Sequence, residues 1–80
     1  MYYVYRIEST RDPSRSYTGF TEDLKERLRA HNNGSNASTA PFRPWKLIFY
    51  ASFNDRDKAL DFERYLKTGS GKAFARKRFW

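Results

Sequence analysis

The chain has 80 residues, with sixteen Lys and Arg against nine Asp and Glu and a formal net charge of +7 at pH 7. It contains no cysteine, which excludes a disulfide scaffold, a thiolate zinc site and a thiol nucleophile. The length suits one domain, residues 1–80, with a thin core that seven Phe, six Tyr and two Trp can fill, because each aromatic buries much apolar area.

Tyr2 to Glu8 is rich in β-formers and runs into the turn residues Ser9, Asp12, Pro13 and Ser14, which predicts a first strand. Ser16 to Phe20 predicts a second, paired with the first as a hairpin. Thr21 is the expected N-cap of a helix with Glu22 and Asp23 in its first turn. That helix runs from Leu24 to His31 or Asn32, with Gly34 as its stop signal. Asn33 to Pro44 reads as a loop. Trp45 to Phe53 is a strand in which Trp45, Leu47, Phe49, Ala51 and Phe53 alternate with Lys46, Ile48, Tyr50 and Ser52. Ile48 and Tyr50 predict that both faces are at least partly covered. Asn54 is the expected cap of a helix from Asp55 to Lys67 that ends at Gly69. Ser70 then caps a short final helix carrying Lys72, Arg76, Lys77 and Arg78. The order β-β-α-β-α-α predicts an α+β fold, a small three-stranded antiparallel sheet flanked by helices.

The charge pattern points to a partner. A basic field attracts polyanions, and phosphate backbones are the commonest in a cell. No apolar run is long enough to cross a bilayer, and the N-terminus lacks the layout of a signal peptide. Nucleic acid rather than membrane is therefore the expected partner, in the cytoplasm.

Two helices break their own pattern. Ala59, Phe62, Glu63 and Leu66 share one helical face at i, i+3, i+4 and i+7. Glu63 thus sits on an apolar stripe, where a carboxylate needs a pairing cation, a metal or an edge position. An ordinary pair with Lys67 would also satisfy it. Leu24, Leu28 and His31 form the inward stripe of the earlier helix, and Arg27 leans toward that side because it is four residues from His31. An inward Arg usually answers a carboxylate or a phosphate, and Glu63 or Asp61 could serve. Tyr5 and Tyr17 can meet across the hairpin. Gly19 within a strand marks close approach of another backbone or a ligand.

Together these residues resemble the GIY-YIG nuclease superfamily, or URI domains, which includes the N-terminal domain of the excision-repair nuclease subunit. The first motif stands as Tyr3-Val4-Tyr5 and the second as Tyr17-Thr18-Gly19. The following segment is Gly19 to Asn32, and the glutamate helix is Ala59 to Lys67. The likeness spans nearly the whole chain and is closest to short members that consist of this domain alone. It implies an endonuclease that hydrolyses phosphodiester bonds, of DNA in preference to RNA, with one Mg²⁺ or Mn²⁺ ion held through Glu63. It implies Tyr5 as general base and Tyr17 as a positioning group. It also implies Arg27 on the scissile phosphate, with His31 near it. Gly19, Lys67, Ser70, Lys72 and Arg76 are the expected nucleic-acid contacts. Three positions depart from the family pattern: Tyr3 replaces the first glycine, Thr18 replaces an isoleucine, and no asparagine follows Asn54 where many members carry one. The rival expectation is a non-catalytic basic nucleic-acid-binding module, or an accessory protein of a repair complex. A protein partner that supplies target specificity is expected in either case.

Overall fold

In the computed structural model, which describes residues 1–80, the chain runs β1 (Tyr2–Ser9), β2 (Ser16–Thr21), α1 (Leu24–Asn33), a 3₁₀ turn (Ala40–Phe42), β3 (Trp45–Phe53), α2 (Arg56–Leu66) and α3 (Gly69–Arg78). The strands form one antiparallel sheet in the order β2-β1-β3. This is the expected α+β architecture. β1 is central, and its Val4, Tyr5 and Ile7 are fully buried.

The sheet has a core on each face. Val4 packs with Ala59 and Leu66 of α2 and Ala75 of α3. Tyr5 and Ile7 point the other way and pack with Trp45, Leu24 and Leu28. Successive residues of a strand face opposite sides, so β1 serves both layers at once.

β3 does not keep the simple alternation expected of it. The pairing with β1 shifts between Arg6 and Ile7, whose partners are Phe49 and Leu47. The bulge skips Ile48 and turns the rest of the strand over. Trp45 and Leu47 therefore join the α1 layer, whereas Phe53 joins the other core and Phe49 stacks on Phe79. Ile48 is half-buried, while Tyr50 is exposed.

The helix caps differ from expectation by one or two residues. Thr21 stays in β2, and the Asp23 side chain caps α1 by accepting from the Glu26 amide. Asp55, not Asn54, caps α2. Thr68, not Ser70, caps α3, which starts at Gly69 and has ten residues. Each true cap is the residue left extended where the preceding element ends, with a side-chain oxygen free to turn inward. Gly34 does end α1, at φ 86°. No helix is long and apolar enough to cross a membrane.

Candidate active site

β1 and β2 bring the two tyrosines together. Tyr5 pairs with Gly19 and Ile7 with Tyr17, so the tyrosines are diagonal neighbours with ring centroids 6.3 Å apart. Gly19 makes this possible. A Cβ there would lie 2.6 Å from the Tyr5 hydroxyl and 2.9 Å from the Tyr17 ring. The close approach that Gly19 signalled is thus made by Tyr5 itself, and the glycine is buried beneath it.

α1 supplies the next two groups. His31 is fully buried, and its Nε2 is 2.8 Å from the Tyr5 hydroxyl. Burial, then the Arg27 charge, pushes its pKa down, so the ring is neutral at pH 7. Arg27 does not face the core as expected. It is exposed, it donates to the Phe20 carbonyl at 3.4 Å, and its positive charge acts on the Tyr5 hydroxyl. A long stem lets the charged end return to the sheet while the rest stays in water.

Tyr5 is 1% exposed. Burial pushes its pKa up to about 12, against the lowering effect of Arg27. Only about one Tyr5 in 10⁵ is phenolate at pH 7 on that basis. A standing phenolate base is therefore scarce, and a proton acceptor beside Tyr5 matters more than a cation.

Glu63 comes from α2, which packs on all three strands. Its charge is felt at Tyr5. Its side chain is 18% exposed and pairs with Lys67 at 3.2 Å. The pair does not seal it, because Lys67 is 54% exposed and an i,i+4 pair of this kind is weak. No three of His, Cys, Asp and Glu gather anywhere, so the residues do not form a zinc-type cage. A single carboxylate that is partly open to solvent does fit Mg²⁺ or Mn²⁺ as hard cations that keep much of their water shell.

Beside this group lies a cleft of about 610 Å³, lined by Tyr17, Arg6, Lys67, Lys72, Arg76 and Trp80 among others. It joins the β2 edge to α3. Four of its residues are cations and none is acidic. Lys67, Lys72 and Arg76 are thus brought together with Tyr17. Ser70 is exposed in the first turn of α3, outside the cleft.

Arg6 was not singled out in the sequence. Arg6 lies 4.3 Å over the Trp80 ring and donates to Thr18 Oγ1 and Ser16 Oγ at 3.2 and 2.6 Å, while its Nε is buried without a partner. Burial lowers its pKa; Glu8 opposes this and Arg76 adds to it. The available signal was its place on the same face of β1 as Val4, where a charge needs a reason. Thr39 was also missed. It lies in an irregular loop, where no periodicity could have marked it.

A twisted antiparallel sheet bearing a Tyr pair, an Arg, a His and a lone Glu beside a basic cleft defines a nuclease-like, nucleic-acid-directed domain. The chain belongs to the GIY-YIG family: the GIY-YIG catalytic domain matches residues 1–78. It is 41% identical over 68 residues to a UPF0213 protein of Clostridium perfringens, covering 84% of this chain and 71% of that protein. It is 40% identical over 52 residues to a UPF0213 protein of Streptococcus pyogenes serotype M5, covering 64% of this chain. The match spans just over half, 56%, of that streptococcal relative.

Proposed function

We propose that this chain is a divalent-metal-dependent endonuclease domain that hydrolyses phosphodiester bonds, of DNA in preference to RNA. The observation that carries the reading is the convergence of Tyr5, Tyr17, Arg27 and His31 at one place on the sheet, within reach of the Glu63 charge. Phosphodiester hydrolysis needs an oriented water, neutralised phosphoryl charge and a stabilised leaving oxygen.

Glu63 would hold the metal, which when bound supplies Lewis-acid stabilisation of the phosphoryl charge. Arg27, with its exposed guanidinium, neutralises a non-bridging oxygen. Tyr17 orients the phosphate or the attacking water. Substrate reaches the buried Tyr5 past Tyr17 and Arg27, its more exposed neighbours. Water then attacks phosphorus while one of its protons passes to the Tyr5 oxygen, and the Tyr5 proton passes to His31 Nε2. The leaving oxygen departs with the bonding pair and takes a proton from solvent. The imidazolium later returns its proton through Tyr5. This concerted transfer avoids a free phenolate.

The basic cleft supports a nucleic-acid strand lying along the β2 edge. Arg76→Gln is expected to weaken binding to all sequences alike. It should also reduce the slope of log affinity against log salt by about 0.9. Filter-binding titrations across salt concentrations measure this, and an unchanged slope places the strand elsewhere.

The enzyme reading is tested by incubating labelled DNA and RNA with the protein plus Mg²⁺ or Mn²⁺. Cleavage that stops with EDTA is the expected result, and identical background with and without metal overturns it. A non-catalytic binding module is the second reading, favoured by the depth at which Tyr5 is buried and by the cationic Lys67–Lys72 segment that stands where many members carry an asparagine. Steeply salt-dependent binding without cleavage supports it.

A further inference from the structure

Tyr5, His31 and Thr39 form a buried chain of polar groups. Tyr5 Oη is 2.8 Å from His31 Nε2, and His31 Nδ1 is 2.8 Å from Thr39 Oγ1. Thr39 is 2% exposed, and its hydroxyl donates to the Asn36 carbonyl at 3.5 Å. One end of the chain has a fixed polarity, because a carbonyl only accepts. With the Thr39 hydrogen on the Asn36 carbonyl, the hydrogens all point one way: Tyr5 to Nε2, Nδ1–H to Thr39, Thr39 to Asn36.

The place of Thr39 is over-determined. Its amide donates to the Asn36 carbonyl at 3.2 Å, and its own carbonyl accepts from the Trp45 indole at 2.8 Å. These two contacts hold the Thr39 main chain in place beside His31. A free imidazole favours the Nε2–H form, which would leave no acceptor facing Tyr5. The hydrogen bond made by one ring nitrogen decides which nitrogen carries the proton.

We propose that Thr39 is a positioning residue that locks His31 in the Nδ1–H tautomer and so keeps Nε2 open to receive the Tyr5 proton. Its purpose rests on the hydrolytic reading above, but its principal test does not. The groups facing the imidazole are Tyr5 from β1, Tyr17 from β2 and Arg27 from α1, with Glu63 of α2 acting on Tyr5. None of these except Tyr5 bonds a ring nitrogen.

His31 is the only histidine, so its ring signals in ¹⁵N NMR need no separation from others. At pH 8 the wild type is expected to show a protonated Nδ1 and an unprotonated Nε2. Thr39→Val keeps the shape but removes the acceptor, and should move the population toward Nε2–H. Thr39→Ser should restore the wild-type pattern. An Nε2–H wild type overturns the proposal without any variant. So does a folded Thr39→Val with an unchanged tautomer.

In the cleavage assay, Thr39→Val should lower kcat by roughly tenfold to a hundredfold, the loss of one charge-assisted hydrogen bond, with KM unchanged and Thr39→Ser close to wild type. If the tautomer shifts as expected but the wild type cleaves nothing, the proposal stands and the hydrolytic reading alone fails.

Discussion

Glu63→Gln is expected to reduce metal-dependent cleavage by about 10³-fold while the protein stays folded. Glu63 is the one carboxylate whose charge reaches Tyr5. The amide keeps the shape and loses the anion that a hard cation requires. The structural cost is small, because the ion pair lost is the one to the half-exposed Lys67. Such helix pairs contribute about 0.2–0.5 kcal/mol. Asp61→Asn on the same helix is the control: Asp61 is 73% exposed and pairs with Arg64, so cleavage should be unchanged. Quantitative digestion of a labelled duplex measures both. A Glu63→Gln protein that cuts within threefold of wild type refutes the role given to Glu63.

Gly71→Ala is expected to be the most damaging small change in the chain. A Cβ at Gly71 would stand 1.7 Å from the Tyr65 carbonyl oxygen, 2.5 Å from its carbon and 3.0 Å from Leu66 Cα. These are backbone atoms of the end of α2, so no side chain can swing aside. The start of α3 must move away, drawing Ala75 out of the core it shares with Val4 and Leu66. A loss of about 3 kcal/mol follows from overpacking of this severity. For a domain of this size that corresponds to a fall in Tm of roughly 15 °C. Because α3 also carries Lys72 and Arg76 into the cleft, nucleic-acid binding should weaken as well. Gly69→Ala gives the comparison: nothing lies within 4 Å of the added carbon, and a helical Gly replaced by Ala is neutral or stabilising. Thermal denaturation of the two variants side by side checks the contrast. Equal Tm values refute the close packing of α3 on α2.

Much of the fold was legible because local patterns agreed with one another. The β-former runs at Tyr2 and Trp45, the stop at Gly34 and the amphipathic stripe through Ala59 and Leu66 each matched an element of the structure. The caps were less legible. Thr21 and Asp23, Asn54 and Asp55, and Thr68 and Ser70 are neighbours of the same capping class. Which one caps depends on where the preceding element stops, and packing sets that. The bulge at Ile48 was not legible either. Both faces of β3 carry large apolar or aromatic residues, so the pattern tolerates a one-residue offset, and pairing with β1 chooses it.

The sequence by itself determined the element order, the basic character of the chain and the family register in which Tyr5, Tyr17, Arg27, His31 and Glu63 stand out. Each of these depends on neighbours in the chain or on the spacing of motifs along it. Tertiary structure alone decided what those residues touch. Tyr5 meets His31 across 26 positions and His31 meets Thr39 across eight, through a strand, a helix and a loop that have no periodic relation. The raised pKa of Tyr5 and the cationic cleft between β2 and α3 arise in the same way. Both come from burial and charge summed over elements distant in sequence, which exist only once the sheet has two covered faces.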